Sequence, residues 1–268
     1  MSDLTTLTTP ERLGEGRFTV EVPTGWGQGR GAFGGYVVAL LVRAMDAHGE
    51  GTPGRERSLR SLTATLCGPL RPGAALITVE ALRIGSGVSS LAARLLQEGE
   101  VQAHAVGVYG RDREASLDFV AVTPPALPPW REVAPMPGQA PFVPEFTHHF
   151  EFRPLPPFPF SGGDEAKTLG WIRPRDPGPA RDAAYLAALI DTWWPALLTR
   201  LPAPRPLATI AFTFQVVGGS AGLDPAAPLL LRATDVACRG GYVVEQRELW
   251  GEDGRLCALN QQTIVLIR

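Results

Sequence analysis

The chain has 268 residues, of which 27 are acidic and 25 basic, so its formal net charge is −2. This near balance, with the arginines scattered singly, excludes the basic face by which a protein neutralises a nucleic-acid backbone. A hydrophobic fraction of 44% is typical of a folded globular chain, and there is no run of about 18 apolar residues that would predict a membrane span. We therefore expect neither a nucleic-acid partner nor a membrane partner.

The cysteines and the first residues indicate where the chain works. Cys67, Cys238 and Cys257 are odd in number and form no CxxC pair, so neither a disulfide framework nor a zinc cluster is expected. We predict three reduced thiols in the core. Residues 1–16 lack the basic start and apolar stretch of a secretory signal, so the expected location is the cytoplasm.

The first half of the chain predicts one helix followed by four strands. Residues 34–47 are apolar nearly all round, which is typical of a helix buried on most sides. Strand-like runs follow at 59–66, 76–83, 89–97 and 101–109. Because short turns cannot make parallel crossovers, the strands should form an antiparallel meander.

A proline-rich stretch separates this unit from the rest of the chain. Between Thr123 and Phe160 there are 12 prolines, a density that neither a helix interior nor a central strand accepts. We expect an extended linker over the surface. The predicted domains are therefore 1–121, a linker at 122–160, and 161–268.

The same pattern returns after the linker. A strand at 168–174 and a helix at 181–200 are expected first, and four strands should follow at 207–217, 229–238, 242–250 and 256–267. One long helix followed by a four-stranded meander, twice over, indicates an internal duplication.

This duplication predicts an α+β fold. A largely apolar helix must be buried on most sides, and a curved antiparallel sheet around it is the simplest way to bury it. The prediction is a tandem, or double, hot-dog, in which each half is a long central helix wrapped by such a sheet. The alternative is two independent α+β domains that do not pack against each other.

Two sequence motifs suggest other chemistry and fail on context. Residues 29–34 match GxGxxG, but the following strand lacks the terminal acidic residue and the parallel sheet that dinucleotide binding needs. Residues 218–222 match the GxSxG nucleophile elbow, yet no histidine occurs after His149. Neither a nucleotide cofactor nor a serine hydrolase is expected.

Asp191 is the candidate catalytic residue of the second helix. It lies at the edge of a broad apolar arc, beside the small residues Ala184, Ala187 and Ala188, which would let a substrate come close. Pro195 cannot donate to the Asp191 carbonyl and should loosen the helix there. The alternative is an acidic residue on the solvated face of an amphipathic helix.

Polar residues in two apolar strands could join Asp191. Thr209 stands in LATIAFTF, and Gln261 and Gln262 stand in LCALNQQTIVLI. Successive strand side chains point to opposite faces, so the pattern alone leaves open which glutamine points inward.

Longer stretches carry a resemblance to a known family. They are GRGAFGGYVVALLVRAM, SLRSLTATLCGPLRPG and VEALRIGSGVSSLAARLLQEG in the first half, and YLAALID, LATIAFTF and DGRLCALNQQTIVLIR in the second. In their order and spacing the chain resembles the acyl-CoA thioesterase II (TesB-like) double hot-dog family, over nearly its whole length except the linker.

The resemblance implies an activity and a set of catalytic residues. That family holds one water molecule between an Asp, a Thr and a Gln, which match Asp191, Thr209 and Gln262. The implied reaction is hydrolysis of an acyl-CoA thioester to a free acid and coenzyme A, without a metal or another cofactor. The implied setting is fatty acid metabolism, with a homodimer or higher homo-oligomer as the assembly.

The start of the first helix is the candidate for substrate binding. Unpaired N–H groups there could meet the oxyanion of the thioester, and the candidates are Gly34, Gly35 and Tyr36. Close packing is an equal explanation for the two glycines. When Gly34 is aligned with Ala183, Val42 takes the place of Asp191, which predicts a dead counterpart site.

Two rival functions remain at this stage. A hot-dog hydratase or dehydratase would need a histidine near Asp191, and none follows it in the sequence. A non-catalytic acyl-CoA or acyl-thioester binding protein would keep the pocket and lack the chemistry.

Overall fold

The computed structural model describes residues 3–49, 57–137, 143–224 and 227–267. Its α-helices are α1 (Leu4–Thr8), α2 (Gly34–Gly49) and α3 (Ala183–Ile190). The strands of the first half are β1 (Glu11–Gly14), β2 (Arg17–Val22), β3 (Gly27–Gln28), β4 (Gly31–Ala32), β5 (Ser58–Leu66), β6 (Gly73–Ile84), β7 (Val88–Gln97) and β8 (Glu100–Gly110). Those of the second half are β9 (Phe150–Leu155), β10 (Lys167–Pro174), β11 (Leu207–Val216), β12 (Leu229–Arg239), β13 (Tyr242–Trp250) and β14 (Leu256–Leu266). No helix in these described ranges is long and apolar enough to cross a membrane.

One antiparallel sheet of 12 strands runs through both halves, in the order β1-β2-β6-β7-β8-β5-β11-β14-β13-β12-β10-β9. The halves join where β5 pairs with β11 around the facing residues Thr63 and Thr213. Helices α2 and α3 pack against each other, and one hydrophobic core contains residues of both. The alternative of two domains without mutual packing is therefore wrong.

The predicted four-stranded meander needs a correction. In each half only the last three of the four strands are neighbours in chain order, namely β6-β7-β8 and β12-β13-β14. The first strand instead pairs with the last, β5 with β8 and β11 with β14. The β5–β6 connection instead crosses toward α2, where the Leu70 carbonyl accepts the Ala32 N–H at 2.7 Å. This order brings the first strand of each set to the centre, where it can join the other half.

The proline-rich region contributes to the sheet. Strand β9 lies inside the predicted linker 122–160 and pairs with β10 along six residues of each strand. It is the outermost strand, a position that tolerates Pro154 because an edge strand has a row of backbone groups that needs no partner. In the order of the sheet β9 is the counterpart of β1.

The second long helix is much shorter than its sequence predicts. A helix over 181–200 was expected, but α3 ends at Ile190, and a short 3-10 helix follows at Ala196–Thr199. Pro195 lacks an N–H for the Asp191 carbonyl and disfavours helical geometry in the residue before it. Asp191 is therefore the C-cap of α3 rather than a residue of the helix interior.

The prediction of three core thiols is confirmed only for Cys257. All three cysteines are unpaired, but Cys67 and Cys238 are exposed. Cys67 follows the end of β5 and Cys238 lies near the end of β12, where alternation no longer decides which residues are buried.

Candidate active site

Asp191 lies at the end of α3 with only 7% of its surface exposed. Its Oδ1 accepts a hydrogen bond from Nε2 of Gln262 at 2.7 Å. Its Oδ2 faces the start of α2, since a Cβ built on Gly34 would lie 2.7 Å from that atom. The alternative of a solvated surface acid is thus wrong, and one oxygen of the carboxylate is directed at the other half of the chain.

Gln262 connects Asp191 to Thr209. Thr209 donates its hydroxyl hydrogen to Oε1 of Gln262 at 2.7 Å, while Nε2 of Gln262 also donates to Oδ1 of Asn260 at 3.0 Å. Asn260 in turn donates to the Thr213 carbonyl at 2.8 Å. Both amide hydrogens of Gln262 are therefore used, and each bond specifies the orientation of the next group.

Gln262 is the inward glutamine of the pair. It is fully buried, whereas Gln261 is exposed. The three residues predicted around one water are thus brought together by three separate elements, namely the end of α3, the start of β11 and the middle of β14. Their role in catalysis stays a prediction.

The start of α2 reaches the same place. A Cβ on Gly35 would lie 2.6 Å from the Ala188 carbonyl oxygen and 3.0 Å from Cβ of Asp191. The two glycines therefore let α2 approach the end of α3 more closely than any other residue would allow. Close packing accounts for them, and it also places their backbone against the carboxylate.

Tyr36 contributes differently from the two glycines. Its backbone N–H donates to the Phe33 carbonyl at 3.1 Å, and its ring lies in the core beside Trp26. This N–H is engaged locally, and the Gly35 N–H donates to the Asp191 carboxylate. Of the three predicted donors, the Gly34 N–H is therefore the one left for an oxyanion.

Several groups set the pKa of Asp191. Burial raises this pKa above its ordinary value, and the Arg247 guanidinium, the hydrogen bonds from Gln262 and the Gly35 N–H, in that order, oppose the rise. The charge of Glu245 adds to it. A carboxylate whose pKa is raised is a stronger base than a solvated one, which suits a general base.

Sequence reasoning missed a buried ion pair behind Asp191. Nη1 of Arg247 lies 3.5 Å from Oδ1 of Asp191, and Nε of Arg247 donates to Oε1 of Glu245 at 2.6 Å. Both residues lie on β13 between Val243 and Leu249, which share their face and are fully buried. Alternation in VVEQREL could have indicated an inward Glu and Arg, since they occupy positions two apart in this apolar series.

A third carboxyl group faces this pair from β12. Asp235 stands opposite Glu245 in the ladder. Burial and the charge of Glu245 raise the pKa of Asp235 to about 8, while Arg247 and Arg200 act against the rise. Near neutral pH this carboxyl group is therefore largely protonated beside its neighbour.

Family models match both halves of the chain. A model of the acyl-CoA thioesterase N-terminal domain matches residues 22–110, and one of the acyl-CoA thioesterase C-terminal domain matches residues 124–266. The chain belongs to the acyl-CoA thioesterase family. It is a thioester hydrolase. No curated protein matches the sequence.

Solved structures resemble this thioesterase over its full length. A hot-dog protein of unknown function from Alicyclobacillus acidocaldarius is 26% identical, with 99% of this chain and 98% of that one covered and a TM-score of 0.85. Acyl-CoA thioesterase II TesB2 from Mycobacterium marinum is 18% identical, with 98% of each chain covered and a TM-score of 0.78. The dehydratase domain of RzxB from Pseudomonas fluorescens is 12% identical, with 92% and 93% covered and a TM-score of 0.56. The tandem hot-dog fold is thereby confirmed.

The first half of this thioesterase has an apolar counterpart of the site. The matching ladders of β5–β8 and β11–β14 place Leu59 at the position of Thr209, and Gly107 at that of Gln262. The pairing register shifts directly after Leu59 in β5 and directly after Thr209 in β11, so the two strands match at this point. Val42, which helix alignment puts at the position of Asp191, is fully buried. This counterpart therefore lacks the polar groups of the Asp191 site.

A cavity of about 560 Å³ lies on the counterpart side, between the end of α2 and the start of α3. Asp191, Thr209 and Gln262 do not line it. Of its acidic residues, Asp182 caps α3 at the Tyr185 N–H and pairs with Arg43 at 2.6 Å. Because Asp191, Thr209 and Gln262 lie together away from this cavity, we take the Asp191 site as the candidate active site.

Proposed function

We propose that this thioesterase hydrolyses acyl-CoA with a water molecule held by Asp191, Thr209 and Gln262. The observation that carries the proposal is the direction of their hydrogen bonds. The Thr209 hydrogen is donated to Gln262, and the two Gln262 amide hydrogens are donated to Asp191 and Asn260. The three side chains therefore offer a water molecule acceptors only.

A water between these acceptors would be oriented for attack. With its two hydrogens bound by acceptor oxygens, its lone pairs point away from the three side chains, toward an incoming carbonyl carbon. Asp191 draws off one proton as the water oxygen bonds to that carbon. The C–S bond of the tetrahedral intermediate then breaks, and the proton held by Asp191 passes to the departing thiolate of coenzyme A.

The oxyanion of this intermediate would lie at the start of α2. The sequence prediction named Gly34, Gly35 and Tyr36 as donors. The Gly34 N–H carries the proposal, because the Tyr36 N–H is bonded to Phe33 and the Gly35 N–H to Asp191. Helix N-terminal N–H groups and the positive end of the helix dipole stabilise a developing negative charge. We extend the proposal to a homodimer or larger homo-oligomer, as the resemblance implies, and to a location in the cytoplasm, as the cysteine pattern indicates.

Release of coenzyme A thiol from a panel of short, long and aromatic acyl-CoAs tests the proposal. We expect turnover by the wild type and a loss of at least about 100-fold in Asp191→Asn, within the range for a positioned base. Gln262→Leu should lose activity as well, whereas Gln261→Leu, its exposed neighbour on the opposite face, should retain it.

Two results would contradict the proposal. If no acyl-CoA is hydrolysed although several bind, the protein is the non-catalytic acyl-CoA binding protein that the sequence left as an alternative. If Asp191→Asn keeps full activity, hydrolysis takes place elsewhere in the chain.

A further inference from the structure

We propose that Glu245 and Arg247 are positioning residues for this reaction: they hold the turn that carries Asp191 and keep its carboxyl group ionised. The inference rests on the proposed function of Asp191. Neither residue is placed to touch the substrate, since both side chains are at most 1% exposed and lie behind the Asp191 carboxylate.

The ion pair makes a hydrogen bond to the backbone at each end of the turn that follows α3. Nη1 of Arg247 donates to the Ile190 carbonyl at 2.9 Å, just before Asp191, and Oε2 of Glu245 accepts the N–H of Ala196, just after the turn. The hydrogen bond between Glu245 and Arg247 connects these two backbone contacts. Because α3 ends here, the Ile190 carbonyl has no further helical turn to bond to, and Arg247 supplies its donor.

The same arginine acts on the charge of Asp191. The groups that face the carboxylate are Gln262 from β14, the Gly35 N–H from α2, and Arg247 and Glu245 from β13. Arg247 is the cation among these groups. Behind Glu245 lies Asp235 from β12, with Arg200 beyond it. When Asp235 is protonated, it adds no second negative charge beside the ion pair.

The first half of the chain is an internal control for this role. Its ladder places Leu91 at the position of Glu245, Ala93 at that of Arg247, and Ala105 at that of Asn260. The same sheet thus forms around apolar residues alone. A buried ion pair adds little stability over apolar side chains of similar volume, so the fold does not explain its presence in the second half.

The length of the two helices agrees with this comparison. In the first half α2 continues through Val42 to Gly49 without a turn, whereas α3 stops one residue before Asp191. The ion pair is therefore found in the half whose helix ends at a candidate catalytic residue. The two backbone bonds of the ion pair are made at that helix end. In the first half the corresponding residues, Leu91 and Ala93, have no polar side-chain atoms and cannot make such bonds.

The test copies the first half into the second. In the double variant Glu245→Leu/Arg247→Ala both charges of the ion pair leave together, so neither partner stays buried without the other. We expect it to fold, by circular dichroism and thermal unfolding, with kcat at least about tenfold lower and KM nearly unchanged. The acid limb of kcat/KM should move to higher pH, because Arg247 lowers the Asp191 pKa by more than Glu245 raises it and both charges are removed.

Two further variants keep the test decisive. Gln246→Leu, between the two residues on the exposed face, should leave kcat and the acid limb unchanged. Arg247→Lys keeps the positive charge but cannot make both bonds, so it should lower kcat while leaving the acid limb in place. If the double variant does not fold, wild-type kcat in Arg247→Lys overturns the inference. A folded double variant with wild-type kcat and acid limb overturns it as well.

Failure of the proposed function would be seen separately. If the wild type hydrolyses no acyl-CoA, the Asp191 pKa can still be measured by ¹³C NMR of aspartate carboxyl groups, assigned with Asp191→Asn. A higher Asp191 pKa in the double variant than in the wild type supports the positioning role independently of activity. Equal values overturn it.

Discussion

Gly35→Ala tests whether α2 and α3 approach as closely as described. The new methyl group would lie 2.6 Å from the Ala188 carbonyl oxygen, and contacts below 3.4 Å are already tighter than nine in ten real Cβ contacts. It would also lie 2.5 Å from Cε2 of Phe33, whose ring is fully buried. To reach 3.4 Å from the Ala188 oxygen, which is a backbone atom, the helices must separate by about 0.8 Å. The α2 start would move away from the Asp191 carboxylate.

The expected loss of stability is the difference between two opposing effects. Overpacking against backbone costs about 2–3 kcal/mol, in the upper part of its usual range. Replacing glycine by alanine in a helix returns at most about 1 kcal/mol. The free energy of unfolding should therefore fall by about 1–2 kcal/mol, which lowers Tm by about 3–6 °C in a chain of this size.

Thermal and urea unfolding of Gly35→Ala and Gly49→Ala provide the comparison. Gly49 ends the same helix, and a Cβ there would meet nothing within 4 Å, so its substitution should be neutral or slightly stabilising. Turnover of acyl-CoA should fall in Gly35→Ala alone. The reasoning is refuted if Gly35→Ala is as stable as Gly49→Ala, since the close approach would then not exist.

Two further predictions concern Asp235 and Thr209. The Asp235 pKa is raised from 3.8 to about 8, so folding favours its protonated form. The stability that this group contributes should be complete below about pH 4 and be lost as the pH rises to about 8. Asp235→Asn removes this decrease, so its unfolding free energy relative to the wild type should rise between pH 4 and pH 9; parallel urea-unfolding curves would contradict this. Thr209→Val removes the donor to Gln262 Oε1 and should lower kcat about tenfold or more with little change in KM, whereas Thr209→Ser should restore most of it; equal kcat in both variants would mean that the hydroxyl group has no role.

Most secondary structure followed from local pattern, and the exceptions have identifiable causes. Strand β13 was predicted at its observed bounds because YVVEQRELW alternates clearly between the faces of the sheet. The helix over 181–200 was too long because its apolar residues continue past Ile190, while Pro195 and two backbone bonds to β13 side chains end it. Those bonds join positions more than 45 residues apart, so no local window contains them.

The candidate site was predictable only as far as local alternation reaches. Thr209 and Gln262 stood out as polar residues in apolar strands, but alternation alone left Gln261 and Gln262 equivalent. The structure separates the two by the register of β14 against β11, in which Gln262 faces Phe212 and its side chain reaches Asp191. Glu245 and Arg247 were missed because charged residues in a strand are usually assigned to the solvent face.

The duplication also explains why a single substitution cannot create a second site in the first half. Val42→Asp would put a carboxyl group inside the continuous helix α2, where neither Leu91 nor Ala93 could bond or neutralise it. A buried carboxyl group without a cation or donors becomes protonated, and a protonated carboxyl group cannot act as a base. The reactivity proposed for Asp191 thus depends on the end of α3, the amide of Gln262 and the charge of Arg247 together. It is a property of this arrangement and not of an aspartate on a central helix.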